Sequence, residues 1–149
     1  LAELRPYGIP SSTQGHVSVE VEGLSVPLIG YYDFEWEHKG ILIHLKTSHQ
    51  LPSKIKQPHA RQVSLYKVAR GDNLSARISY VTPKKTATYE LENYREHLKA
   101  LETVALTIQR FLSLSDDPLE LASFVVPDVD SFYFNDPLTR QAVFETWGL

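Results

Sequence analysis

The chain has 149 residues and a mass of 16.9 kDa, with 42% hydrophobic and 22% charged residues, which reads as one globular domain over 1–149 whose core needs no disulfide or structural metal. Cysteine is absent, excluding a disulfide framework, thiolate metal sites and a cysteine nucleophile; apolar runs are too short to span a membrane, and Leu1-Ala2-Glu3-Leu4-Arg5 does not read as a signal peptide. The net charge of −3 is unevenly spread: His38 to Gly71 holds seven Lys or Arg, four His and no acid, so all 18 acids face the remaining eight bases elsewhere.

In chain order, His16-Val-Ser-Val-Glu-Val-Glu22 alternates apolar and polar residues and predicts a half-buried strand closed by Gly23. A second strand is expected over about Val26 to Glu35 and a short, largely buried third over Ile41 to Lys46, the three forming a meander. Pro52-Ser53 and Pro58 punctuate a basic loop. From His59 to Arg70 a helix is expected, with Val63, Tyr66 and Arg70 on one side. Asp72-Asn73 is a turn, Leu74 to Val81 returns to the sheet, and a short strand around Thr86 to Glu90 follows the turn at Pro83-Lys85. The clearest helix runs from about Glu92 to Leu114, where Tyr94, Leu98, Leu101, Ala105, Ile108 and Leu112 recur at helical spacing, with Asn93 as its cap. Past Asp117-Pro118 the chain is aromatic and proline-broken, with one or two helical turns at about Leu138 to Trp147. The whole predicts an α/β fold, a central mixed sheet flanked by helices. Because the first residue is Leu rather than Met, further sequence is expected upstream.

Asp33 ends the expected second strand and Lys46 the third, so a hairpin brings both to one end of a sheet. Residues 44 and 46 share a face. A carboxylate, a second metal ligand and a lysine on neighbouring strands are the minimum set for metal-dependent phosphodiester cleavage. The carboxylate holds a divalent ion that polarises the phosphate, and the ammonium orients water or meets developing charge. The ordinary alternatives stand beside this one: Asp33 as a strand-end residue, Lys46 as an exposed lysine, Gln62 as a surface helix residue and Tyr66 as a core aromatic. The acid-free segment is either a solvated face or a surface that meets phosphate.

Gly30-Tyr-Tyr-Asp33, Leu45-Lys46-Thr47, Leu51-Pro52-Ser53 and Gln62-Val-Ser-Leu-Tyr66 occur in the order of one family's motifs, and the chain ends Trp147-Gly148-Leu149. This pattern resembles the PD-(D/E)XK nuclease superfamily, in its RecB-like and phage-type exonuclease branch. The resemblance covers most of the chain and is diagnostic between Gly30 and Tyr66. It implies a restriction-endonuclease-like core and a metal-dependent deoxyribonuclease, an exonuclease of phage recombination or DNA repair type, acting in the cytoplasm of a bacterial or phage-infected cell. It further implies Asp33, His44, Lys46 and Gln62 as catalytic residues, with Mg²⁺ or Mn²⁺ held by Asp33, the residue at 44 and the carbonyl of Leu45. Lys54, Lys56, Arg61, Tyr66, Lys67 and Arg70 would meet the DNA. DNA is the expected partner, with a second copy of the chain or a recombination protein as further candidates and no membrane.

The sequence departs from the pattern at His44, where the family carries an acidic ligand. Imidazole suits Mn²⁺ or Zn²⁺ better than Mg²⁺, which prefers oxygen, so Mg²⁺ affinity should fall. His44 is read as a divergence that shifts metal preference, an engineered replacement of the acid, or the mark of a fold that has kept binding and lost cleavage. That last reading, a noncatalytic DNA-binding module, is the chief alternative; a protein-interaction domain whose basic segment meets an acidic partner is another. Glu35 is expected as an exposed hairpin carboxylate, Glu20 as a conceivable extra ligand, and His49 and His59 as phosphate contacts or bystanders. Tyr31, Tyr32 and Trp36 are expected to be partly core, one of them a candidate to stack a base. No Gly-rich phosphate loop supports ATP hydrolysis.

Overall fold

The computed structural model describes residues 2–148. Five strands, β1 (Ser12–Val19), β2 (Leu28–Trp36), β3 (Ile41–Thr47), β4 (Ser75–Val81) and β5 (Thr86–Glu90), form one sheet in sequential order. The β3–β4 pair is parallel and the rest are antiparallel. A parallel pair cannot be closed by a tight hairpin, and helix α1 (Gln57–Arg70) is its crossover. The expected mixed sheet flanked by helices, opening on a three-strand meander, is therefore what the chain adopts, and it is compatible with a restriction-endonuclease-like core.

Strand β3 buries Leu42, Ile43 and His44 in succession, as a central strand covered on both faces must. On one face Leu42, Ala76, Ile78 and Tyr80 pack with Ala60, Val63 and Tyr66 of α1; full burial of each large apolar side chain contributes roughly 1.5–3 kcal/mol. On the other, Trp36 meets Tyr7 and Phe34 and donates its indole N–H to the Gly8 carbonyl at 3.1 Å.

The first strand lies about four residues earlier than alternation suggests. An edge strand is bounded by its ladder, and pairing with β2 runs only from Ser12 to Val19, with Val17 its one buried residue. Glu20 falls exposed beyond its end. Helix α2 (Tyr94–Leu112) begins directly after Asn93, whose φ of 49° is left-handed. The chain resolves into two compact units, Leu1–Ala105 and Leu106–Leu149. The second contains α3 (Pro118–Ala122) and α4 (Pro137–Trp147), each with Pro in its first turn and an Asp side chain, Asp117 or Asp136, capping a backbone N–H. The last helix, 11 residues long, makes three turns rather than one or two. Trp147 ties the unit together by donating to the carbonyls of Ala122 and Val125. Among the described residues no helix is long and apolar enough to cross a membrane.

Candidate functional site

Asp33 lies inside β2 rather than at its end, and its place is defined by where the sheet stops being regular. The β2–β3 ladder pairs Trp36 with Ile41, Glu35 with Leu42 and Phe34 with Ile43, and ends there. The next positions in line are Asp33 and His44. Beyond them the Leu45 N–H donates to Asp33 Oδ2 at 2.7 Å. A strand residue points its N–H and C=O to the same edge, so the Leu45 carbonyl also faces β2. On the other flank the β1–β2 ladder omits Gln14 and Asp33. Gln14 has a left-handed φ of 52°, and its side-chain amide donates to Asp33 Oδ1 at 2.8 Å. A non-glycine residue held there costs on the order of 1–3 kcal/mol, and here the irregularity serves to present the carboxylate.

His44 is 8% exposed, and its Nδ1 lies 2.7 Å from Asp33 Oδ2 without the alignment of a hydrogen bond. Burial lowers its pKa, with Lys46 acting in the same sense and Asp33 opposing, which favours a neutral imidazole with a free lone pair. Lys46, two residues on and on the same face, also has its pKa lowered by burial against the pull of Asp33. The third element is α1. Its Gln62 neighbours both His44 and the Tyr66 hydroxyl, and the Tyr66 ring lies edge-on to His44 with centroids 5.3 Å apart. Gly30 makes that approach feasible, because a Cβ there would fall 2.6 Å from Tyr66 Cε1. Asp33, His44, Lys46 and Gln62 are thus brought together, from β2, β3 and α1.

The proposed DNA-contacting residues separate into two groups. Lys54 and Lys56 are exposed before and at the start of α1, and Arg61 is half-buried one turn on, its guanidinium 3.4 Å from Gln57 Oε1. Tyr66, by contrast, is 1% exposed and belongs to the core. Lys67 donates to the Leu74 carbonyl at 2.5 Å and lies over the Tyr94 ring. Arg70 donates its Nε–H to Glu35 Oε1 at 3.0 Å. Tyr66 and Lys67 are thus engaged inside the fold, because most of the basic segment is a helix packed on the sheet, whereas Arg70 pairs with Glu35 while its side chain stays 39% exposed. Glu35 also departs from expectation: it is 3% exposed rather than on an exposed hairpin, and accepts from the Tyr32 hydroxyl at 2.6 Å and the Ser12 hydroxyl at 3.3 Å as well as from Arg70. Of the three aromatics considered for base stacking, Tyr32 and Trp36 are core and Tyr31 is exposed.

Sequence reasoning missed one residue, Gln14, which carries no signal because its role depends on strand register. His59, expected as a phosphate contact or bystander, lies on the first turn of α1 beside Tyr80, the register neighbour of Lys46. Among the described residues no group of three or more His, Asp or Glu gathers in metal-binding geometry, so the donors available at this site are Asp33, His44 and the Leu45 carbonyl.

The sequence matches no protein-family model and no curated protein. Among solved structures the chain is similar to SSO0001, known from a crystal structure, with 21% identity and a TM-score of 0.50. The match covers 66% of this chain and 50% of that one, so this chain spans half the length of its structural neighbour. At that identity the likeness speaks for the fold alone.

Proposed function

We propose that this chain is a metal-dependent DNA nuclease of PD-(D/E)XK type, of the recombination or repair exonuclease class, weakened toward Mg²⁺ by His44. The observation that supports this best is the convergence of Asp33 Oδ2 and His44 Nδ1 at 2.7 Å beside Lys46, at the point where β2 and β3 stop pairing. Two donor atoms this close, neither aligned to hydrogen-bond the other, fit a shared cation. One carboxylate oxygen and one neutral imidazole suit Mn²⁺ better than Mg²⁺. A divalent ion there would supply polarisation of a phosphate oxygen and acidification of a water molecule.

The protein's own groups do the rest. The Leu45 N–H and Gln14 amide hold the Asp33 carboxylate in one orientation. Lys46, partly buried and sharing the face of His44, orients the attacking water and meets negative charge as it develops. Gln62, on α1, stands beside His44 and Tyr66, and Lys54 and Lys56 guide the DNA backbone by charge alone.

The test is His44→Asp, which restores an oxygen donor and a negative charge. The unaltered chain should show little Mg²⁺-dependent cleavage of DNA with some rescue by Mn²⁺, and the variant should cleave with Mg²⁺. In that background Lys46→Ala should slow single-turnover cleavage on the order of 10²-fold while changing DNA affinity far less. A His44→Asp protein that folds and binds DNA but cleaves with neither ion would refute the nuclease reading and leave the noncatalytic DNA-binding module.

A further inference from the structure

The nuclease reading has no use for His59, yet its surroundings determine its chemistry. The Tyr80 side chain is fully buried. Its hydroxyl oxygen lies 3.0 Å from the Lys56 backbone N–H, which can only donate, and 2.8 Å from His59 Nδ1. A buried hydroxyl proton needs an acceptor, and His59 Nδ1 is the acceptor in reach among the described residues. Tyr80 therefore donates to Nδ1, and the ring carries its proton on Nε2. A protonated ring would set two donors against each other at Tyr80, so this geometry also favours the neutral form. Burial, Lys46 and Lys56 push the His59 pKa down in the same sense.

Nε2–H, on the opposite side of the ring, takes no part in the hydrogen bond between His59 and Tyr80. His59 stands three residues before Gln62 on the same side of α1, and Tyr80 pairs in register with Lys46. A neutral donor of fixed tautomer thus flanks the Lys46 end of the site, with Lys46 and Lys56 as its charged neighbours. Phosphate oxygens are acceptors only, so a histidine locked as a donor matches them, whereas one locked as an acceptor would not.

We propose that His59 is a substrate-binding residue, held in its Nε2–H tautomer by Tyr80 and donating that N–H to a non-bridging phosphate oxygen of the DNA. This rests on the reading of the Asp33–Lys46 site as a DNA phosphate site, and the test separates the two. In the full chain labelled with ¹⁵N, the imidazole nitrogens report the tautomer directly: Nε2 should be the protonated one, and Tyr80→Phe should convert His59 to a mixture. Adding a DNA oligonucleotide in EDTA, where no metal-dependent cleavage occurs, should shift the Nε2–H resonance.

His59→Ala should weaken affinity about tenfold or more, the worth of one hydrogen bond to an anion. His59→Gln places an amide nitrogen where Nε2 lies and should retain most of that affinity, while His59→Asn places it at the Nδ1 position and should not. An Nδ1–H tautomer, or Gln and Asn variants that bind DNA alike, would overturn the proposal even if His44→Asp cleaves DNA. The tautomer, shift and affinity pattern obtained together with a His44→Asp protein that never cleaves would uphold His59 and overturn the nuclease.

Discussion

Removing the Arg70 side chain separates a structural role from a DNA-binding one, because the two make opposite predictions about stability and salt dependence. Among the described residues Arg70 supplies the only cationic partner in the hydrogen bonds made to the buried Glu35 carboxylate, through Nε at 3.0 Å; the other two donors are the hydroxyls of Tyr32 and Ser12. Breaking a fully buried ion pair by deleting one partner costs about 3–5 kcal/mol. Glu35 meets that description at 4% side-chain exposure, but the Arg70 side chain is 39% exposed, so water and salt screen part of the attraction. Two hydroxyl donors also remain on the carboxylate. About 2 kcal/mol is the resulting expectation for Arg70→Ala, or a fall in Tm of about 8 °C for a unit of roughly 100 residues. Glu35→Gln in the same background should recover part of it, since the neutral amide leaves no charge stranded. Thermal and urea unfolding of the two single variants and the double variant measure the coupling. DNA titrations of Arg70→Ala should keep the salt slope of the parent. A loss of stability under about 0.5 kcal/mol, together with a slope lowered by about one unit, would refute the structural assignment and make Arg70 a phosphate contact.

Lys54→Ala and Lys56→Ala, both on exposed side chains, should leave the Tm almost unchanged and each lower the salt slope of DNA binding by about one unit, read from affinities at several salt concentrations. Stability should fall as pH drops from about 6.5, the ordinary histidine value. The pKa values of His44 and His59 are both lowered on folding by burial, so the unfolded chain takes up protons first and gains on the folded state until the folded histidines also titrate. Urea unfolding of His44→Asn between pH 7.5 and 5 should show a shallower loss than the parent, and an unchanged slope would mean that His44 does not titrate in that range.

The division between what sequence alone determined and what tertiary structure decided follows the range of the interactions involved. Strands with alternating or continuous apolar patterns, the Pro-Ser break before α1 and the long apolar repeat of α2 are local signals. They placed β2 to β5, α1 and α2 to within a few residues. The spacing of Asp33, His44 and Lys46 was equally legible, because two-residue and hairpin offsets predict shared faces whatever surrounds them, whereas Gln62 entered only through the family resemblance. Charge was legible only as a count. Whether Lys67 or Arg70 meets solvent or a buried acceptor depends on Leu74 and Glu35, which lie 7 and 35 residues away in the sequence. Gln14 became part of the site only because β1 pairs with β2 in a register that sets it opposite Asp33, and its left-handed backbone leaves no mark in composition. The tautomer of His59 was fixed by a tyrosine 21 residues further along, on another strand. Periodicity belongs to the chain and can be read from it, whereas burial, the partner of a charge and the direction of a proton belong to contacts that exist only once the sheet has closed on α1.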